Sequence, residues 1–339
     1  MDAPLRIVFF GSPSFALPSL AALVEAPWAE VVLAVTQPAR PRGRSGRPAS
    51  TEVGAAAQAA GIPVLAPERL RRESTAEITA RAPDVGVLAA SGHLLPGHLL
   101  QAFPRGVVNV HASLLPRHRG ASPVAAAILA GDEESGASLM LVERRLDAGP
   151  VIASASTEIG PLDTTGTLTS RIAEVGSELL RQNLAAWVAG DIPAVPQEEA
   201  RASYAPRLRR EDGAVDWSLP AVEIWRRVRA YQPWPQATAT DPRRGGDGEP
   251  LLIQEAWPAP LPEGAAGAPP GTVLAGSGEP LSPLLPGRRA LAVAATGEGG
   301  LALLRLQRAG RRSMGVEEYL RGDPRLIGSR LGDGARASA

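Results

Sequence analysis

Three side chains in this sequence are of the types, and near the spacing, needed to act together on an acyl group: Asn109, His111 and Asp147. Asn109 and His111 sit in the apolar run Val107-Val108-Asn109-Val110-His111, and residues two apart on a strand share a face. The run is rich in β-branched residues, as buried strands are. The chain then breaks at Pro116 and Gly120, and Pro123 suits the first position of a helix opening after Ser122. In open α/β sheets ligands bind beyond the carboxyl ends of the strands, which is where this pair stands. Asp147 follows another apolar run and precedes Ala148-Gly149, a turn that can fold back over the sheet.

None of the three is a hydroxyl or thiol nucleophile. The set suits transfer of an acyl group directly to an amine of the substrate. Asn109 would donate a hydrogen bond to an oxygen gaining negative charge. His111 would stabilise that charge or shuttle a proton, and Asp147 would hold the imidazole or accept the amine proton. A carboxylate beside the imidazole is expected to raise its pKa. Each residue also has a plainer reading: a histidine near an apolar strand is often a satisfied structural group, and an aspartate before Ala-Gly often caps a turn.

The elements that must position these residues read as an α/β domain. Apolar strands are expected at Leu5–Phe10, Val31–Thr36, Ile62–Leu65, Val85–Ala89, Ala137–Val142 and Val151–Thr157. Helices are expected from near Ser14, over Thr51–Ala60 and over Pro123–Ala130. Leu168, Ile172, Val175, Leu179, Leu180, Leu184 and Trp187 recur at helical spacing and predict a long amphipathic helix. Alternating strands and helices imply a mostly parallel sheet. The opening Gly11-Ser12-Pro13-Ser14-Phe15-Ala16 lacks the GxGxxG fingerprint, so a dinucleotide site is not indicated. Gln37–Ser50 is a polar loop carrying Arg40, Arg42, Arg44 and Arg47, either plainly solvated or an anion-binding lid.

The texture changes after Ala189. The Pro- and acid-rich stretch 190–205 reads as a linker between a domain over 1–189 and another over 206–330. The second contains a helix near Leu219–Ala230, then short apolar runs at Leu251–Ala256, Gly271–Ala275, Ala290–Ala295 and Leu301–Leu306. Such runs broken by Gly and Pro predict a small β-barrel or sandwich, with a frayed tail after about Arg330.

Composition narrows the classes. The 339 residues allow about two domains. The formal net charge is zero, but residues 201–339 hold 19 arginines against 15 acids, and residues 1–200 hold 16 against 20. That asymmetry allows a polyanionic partner at the second half without requiring one. There is no lysine, a feature of biased composition rather than of function. The absence of cysteine excludes disulfides, thiolate metal sites and a cysteine nucleophile. With only His93, His98, His111 and His118 no ligand cluster is visible, and no metal is expected. No apolar run reaches membrane-spanning length and the N-terminus lacks a secretory pattern, so the expectation is a soluble, cytoplasmic, monomeric protein.

The stretch NVHASLLPRHRGASP followed by SGASLMLVERRLDAG resembles the folate-dependent formyltransferases, which share Asn-x-His-x-Ser-Leu-Leu-Pro and a downstream Leu-Asp-x-Gly. Thr36–Arg44, Asp216-Trp217-Ser218 and Pro233-Trp234-Pro235 extend the likeness, which runs from Leu5 to about Arg321. They point within the family to the members that act on a charged tRNA. The resemblance implies a Rossmann-like catalytic domain and a C-terminal five-stranded barrel similar to an OB-fold. It implies transfer of the formyl group of 10-formyltetrahydrofolate to the α-amino group of methionine on initiator tRNA, for translation initiation. It carries catalytic roles onto Asn109, His111 and Asp147. It places the folate near Ser113, Leu114, Leu115 and Pro116, with further contact at Gly92, His93, Leu94 and Leu95. It sends the arginine loop, Arg40, Arg42, Arg44 and Arg47, to the tRNA. The sequence departs from the usual pattern at His118, where relatives often carry an aromatic residue, at Ser91, which precedes Gly92 where a tyrosine is common, and at Pro150, where a second acid is frequent. The alternative is a formyltransferase of the same family acting on a small amine, such as a sugar nucleotide or glycinamide ribotide. A non-catalytic RNA-binding protein of the same fold is less consistent with the intact trio.

Overall fold

The structure, a computed structural model, describes residues 3–42, 47–245 and 247–334. The chain divides into two compact units, one formed by Met1–Ala127, Glu133–Ile159 and Thr167–Pro206 and one by Ile128–Asp132, Gly160–Gly166 and Arg207–Ala339. Among the described residues no helix is long and apolar enough to cross a membrane.

The first unit is built on a seven-stranded sheet. In chain order its elements are β1 (Leu5–Gly11), α1 (Leu17–Glu25), β2 (Ala29–Val35), a two-stranded hairpin of β3 (Arg40–Arg42) and β4 (Arg47–Ala49), α2 (Glu52–Ala59), β5 (Val64–Leu65), α3 (Arg72–Thr79), β6 (Val85–Ala89), α4 (Gly97–Leu100), β7 (Val107–His111), β8 (Arg119–Gly120), α5 (Pro123–Ala130), β9 (Glu134–Leu141), β10 (Val151–Glu158), α6 (Thr165–Ala189) and β11 (Tyr204–Ala205). The sheet order is β10-β9-β7-β6-β1-β2-β5. The five strands from β7 to β5 run parallel, and β9 and β10 are antiparallel to their neighbours. The parallel strands are nearly continuous apolar runs because both faces are covered; Ile7 to Phe10 are wholly buried. The register pairs Gly11 with Ala89 and Leu88 with Asn109, so the carboxyl ends of β1, β6 and β7 lie at one edge. Helix α6 lies across β7: a Cβ on Gly176 would stand 2.6 Å from Val110 Cγ1, and glycine lets the helix approach that closely. Helices α3 and α4 carry no clear apolar period; α3 buries only Ile78, and its sequence is otherwise polar.

In the second unit α7 (Ala221–Ala230) precedes β12 (Ala237–Asp241), β13 (Glu249–Ala259), β14 (Val273–Ala275), β15 (Ala292–Ala295), β16 (Gly300–Arg308), β17 (Met314–Gly315) and α8 (Val316–Gly322). The strands form a curled antiparallel sheet in the order β12-β13-β16-β15-β14, with β17 on β16. Its two edges are joined by the C-terminal segment. Gly328 N donates to Val273 O at 2.7 Å, Leu331 N to Gly271 O at 2.9 Å, and Gly332 N to Thr240 O at 2.9 Å. Leu331 is buried in the barrel core beside Trp217 and Val273. The segment expected to fray after Arg330 is therefore pinned through Gly334, because it satisfies edge groups of β12 and of the segment leading into β14 that would otherwise be unpaired.

Candidate active site

Strand β7 delivers Asn109 and His111 to the carboxyl edge of the sheet, 7% and 6% exposed. His111 Nε2 lies 3.1 Å from the His118 carbonyl oxygen. A carbonyl only accepts, so Nε2 carries the proton and donates. Nδ1 then faces Asp147 Oδ2 across 3.9 Å. That separation exceeds a hydrogen bond and fits one small polar group bridging the two. Asp147 Oδ2 also accepts from Gly120 N at 2.8 Å. Among the described residues the Asn109 amide is held by no protein hydrogen bond and is left to donate elsewhere.

The turn that aims Asp147 has a local cause. Asp147 takes φ +48°, a left-handed conformation that aspartate tolerates better than most residues. Two residues on, a Cβ at position 149 would lie 1.9 Å from the Leu141 carbonyl oxygen, so only glycine fits the return. Gly120 has φ +114°, and a Cβ there would meet the Ala205 carbonyl oxygen at 2.5 Å. The Leu-Asp-x-Gly and Arg-Gly of the sequence are thus the conformational condition for the Gly120–Asp147 hydrogen bond.

Burial decides the charge on His111. Removal from water pushes its pKa below the ordinary 6.5 and outweighs the opposing pull of Asp147. The sequence expectation of a raised pKa is corrected here: the carboxylate acts in the anticipated sense, but desolvation is larger. His111 is a neutral imidazole at pH 7, with an unprotonated nitrogen facing a carboxylate. Two acceptors across one gap, next to an amide donor, are suited to take a proton from an amine while the amide holds an oxygen.

The Formyl transferase family model matches residues 5–184, and the Formyl transferase, C-terminal domain model matches residues 207–324. Methionyl-tRNA formyltransferase from Roseiflexus sp. (strain RS-1) is 43% identical over 331 residues, covering 97% of this chain and 96% of the relative. The enzyme of the same name from Roseiflexus castenholzii is 44% identical over 329 residues, covering 97% and 99%. The chain belongs to the formyl transferase family. Among solved structures, the N-formyltransferase from Helicobacter canadensis in complex with folinic acid and dTDP-3-aminofucose superposes with a TM-score of 0.60 at 15% identity, covering 88% of this chain and 99% of that one, a likeness of fold.

The residues that the sequence of this formyltransferase offers for the folate sit at the same sheet edge. Leu114, Leu115 and Pro116 are half-buried and flank Ser113. Gly92 has φ +75° and turns the chain after β6. Leu94 is 86% exposed. Half-buried apolar side chains are the lining that the faces of a flat ring system require, and in that sense these residues fit a pterin. Not all of them face outward. The Ser113 hydroxyl donates to Arg117 O at 2.7 Å, His93 Nε2 donates to Pro67 O at 3.0 Å, and Leu95 packs into the apolar cluster of Val8, Phe10 and Leu99. Arg40 is exposed on the β3–β4 hairpin; Arg44 and the side chains of Arg42 and Arg47 lie outside the described residues.

Sequence reasoning missed Ser138, Gln197 and Ser203. Ser138 Oγ donates to Ser113 O at 2.8 Å and accepts from Leu115 N at 3.1 Å, which holds the Ser-Leu-Leu stretch against β9. Ser203 Oγ accepts from His118 N at 2.9 Å. Their residue types are common and their spacing follows no local period.

The pKa of His111 makes stability depend on pH in a stated sense. The folded value is lowered and the unfolded value is ordinary, so the unfolded chain binds more protons between the two. The stabilisation is complete above pH 6.5 and is lost as pH falls from 6.5 toward the folded value. The stability difference between wild type and His111→Gln should therefore change between about pH 7.5 and about pH 5 to the disadvantage of wild type at low pH. Urea unfolding at each pH measures it, and a pH-independent difference rejects the lowered pKa.

Proposed function

We infer that this chain transfers the formyl group of 10-formyltetrahydrofolate to the α-amino group of methionine on initiator tRNA, at the start of protein synthesis. The observation that carries the chemistry is the pair of acceptors, His111 Nδ1 and Asp147 Oδ2, facing each other at 3.9 Å beside Asn109. The narrower substrate is supported by relatives named methionyl-tRNA formyltransferase at 43% and 44% identity along nearly the whole chain.

When bound, 10-formyltetrahydrofolate supplies an acyl carbon at the oxidation level of formate. An α-amino group has a pKa of roughly 8, so about a tenth is neutral and nucleophilic at pH 7 without a strong base. Asn109 donates to the formyl oxygen as it gains charge. His111, neutral and fixed with its proton on Nε2, presents Nδ1 to the nitrogen that must lose a proton. Asp147 stabilises the positive charge on that nitrogen and shares in accepting the proton. The bond from the formyl carbon to the amine forms as its bond to N10 of the folate breaks, and the proton is passed to N10, so that tetrahydrofolate leaves. Ser113 to Pro116 and the Gly92–Leu95 turn hold the folate ring against this edge.

The division of labour follows the two units. The first unit carries the chemistry, and the stretch 190–205, read from the sequence as a linker, is packed on it as part of that unit. The stretch from Arg207, with its excess of arginine, meets the tRNA backbone. Arg40, Arg42, Arg44 and Arg47 contact the acceptor end, where arginine pairs with phosphate in bidentate fashion. The enzyme works as a monomer in the cytoplasm, where its tRNA substrate is found.

Formyl transfer measured with methionyl initiator tRNA, beside glycinamide ribotide and an amino-sugar nucleotide, tests the assignment; preference for a small amine overturns it. Asn109→Ala should lower kcat by about 10² to 10³, as for loss of an oxyanion donor, with folding intact by circular dichroism. Near-normal turnover removes Asn109 from the chemistry. Arg42→Gln should raise the KM for tRNA far more than that for the folate and shallow the salt dependence of tRNA binding by about one phosphate contact. Equal effects on both substrates reject the loop assignment.

A further inference from the structure

The segment 195–205 is stitched to both loops that build the active site. Val195 and Val151 exchange main-chain hydrogen bonds, each at 2.8 Å. Arg119 N donates to Ser203 O at 2.8 Å and Ala121 N to Ala205 O at 2.9 Å, the parallel pairing of β8 with β11. Between these anchors stands Gln197, half-buried. Its Nε2 donates to Asp147 O at 2.9 Å and to Gly149 O at 2.7 Å. Its Oε1 accepts from Arg119 Nε at 3.0 Å. The amide orientation follows from its partners, since two carbonyls can only accept and a guanidinium can only donate.

Arg119 is a firm anchor for this bridge. Its residue is 0% exposed, and a buried cation must be fully paired. Glu199 pairs it in bidentate fashion at 3.2 and 3.0 Å and also accepts from Arg145 at 3.0 Å. A rigid path thus runs from Glu199 through Arg119 and the Gln197 amide to the main chain on both sides of Ala148. That main chain carries the Asp147 carboxylate in its left-handed turn.

We propose that Gln197 is a positioning residue for the transfer reaction: its amide fixes the Asp147 turn so that the carboxylate stays opposite His111 Nδ1. This rests on the catalytic reading of Asp147 given above. Gln197 touches no reacting atom. It acts through the two carbonyls it holds, and a displacement of about 1 Å at a reacting group costs on the order of 10² in rate.

Gln197→Ala and Gln197→Glu, made in the full chain, separate positioning from simple support. Glutamate keeps the acceptor for Arg119 but sets a carboxylate against two carbonyl oxygens. Both variants should lower kcat by about 10- to 100-fold, with KM for 10-formyltetrahydrofolate and for methionyl-tRNA within about threefold of wild type. Their melting temperatures should stay within about 4 °C, the loss of one partly solvated amide. A Gln197→Glu enzyme with wild-type kcat, a change confined to KM, or a kcat loss equal to the unfolded fraction overturns the proposal. Asp147→Asn serves as the parallel control. If it retains full activity, the role of Asp147 and this proposal both fall; if it is inactive while both Gln197 variants turn over normally, only the positioning role falls.

Discussion

The active site depends on the way the short segment 118–120 presents its main chain in two directions. At His118, Arg119 and Gly120 successive main-chain groups bond to opposite sides. The carbonyl of His118 and the N–H of Gly120 point toward the site, where one fixes the His111 tautomer and the other holds Asp147. The N–H of Arg119 and of Ala121 point the other way, onto Ser203 and Ala205. One three-residue stretch therefore orients both the imidazole and the carboxylate, and it is held from behind by a segment more than eighty positions away. Main-chain groups have no rotamers, so orientation through them costs no side-chain entropy.

Burial and charge compete at His111, and burial wins. A carboxylate at 3.9 Å favours the imidazolium, but a site this dry penalises it more. The outcome serves the chemistry, because a protonated His111 would have no lone pair to offer an amine. The same dryness strengthens the hydrogen bond that Asn109 makes to a developing negative charge. Arg119 shows the opposite balance. Its bidentate pairing with Glu199 raises its pKa against the desolvation it suffers, so it stays charged and rigid.

The second unit shows a related economy in its edges. An open sheet would leave the outer groups of β12 and β14 unpaired, and residues 328 to 332 fill that gap with main-chain bonds and the side chain of Leu331. Trp217, within the Asp-Trp-Ser stretch that the sequence made conspicuous, is buried against that closing segment, with Nε1 donating to Gly332 O at 3.2 Å. The stretch is thus a structural clasp of the barrel.

What the sequence alone determined was set by local rules. The two-residue period of a strand put Asn109 and His111 on one face, β-branched runs marked the parallel strands, and Leu-Asp-x-Gly announced a turn in which one residue tolerates, and another demands, unusual backbone geometry. Even the element bounds followed where the apolar pattern was strong, as in β1 and α6, and were lost where it was weak, as in polar α3. Tertiary structure alone decided the approach of Asp147 to His111, the sign of the histidine's pKa shift, the place of Gln197 and Ser203 behind the site, and the pinning of the C-terminal segment. Each of these depends on groups far apart in the chain or on how much water is excluded around them, and neither quantity is written in the spacing of neighbouring residues.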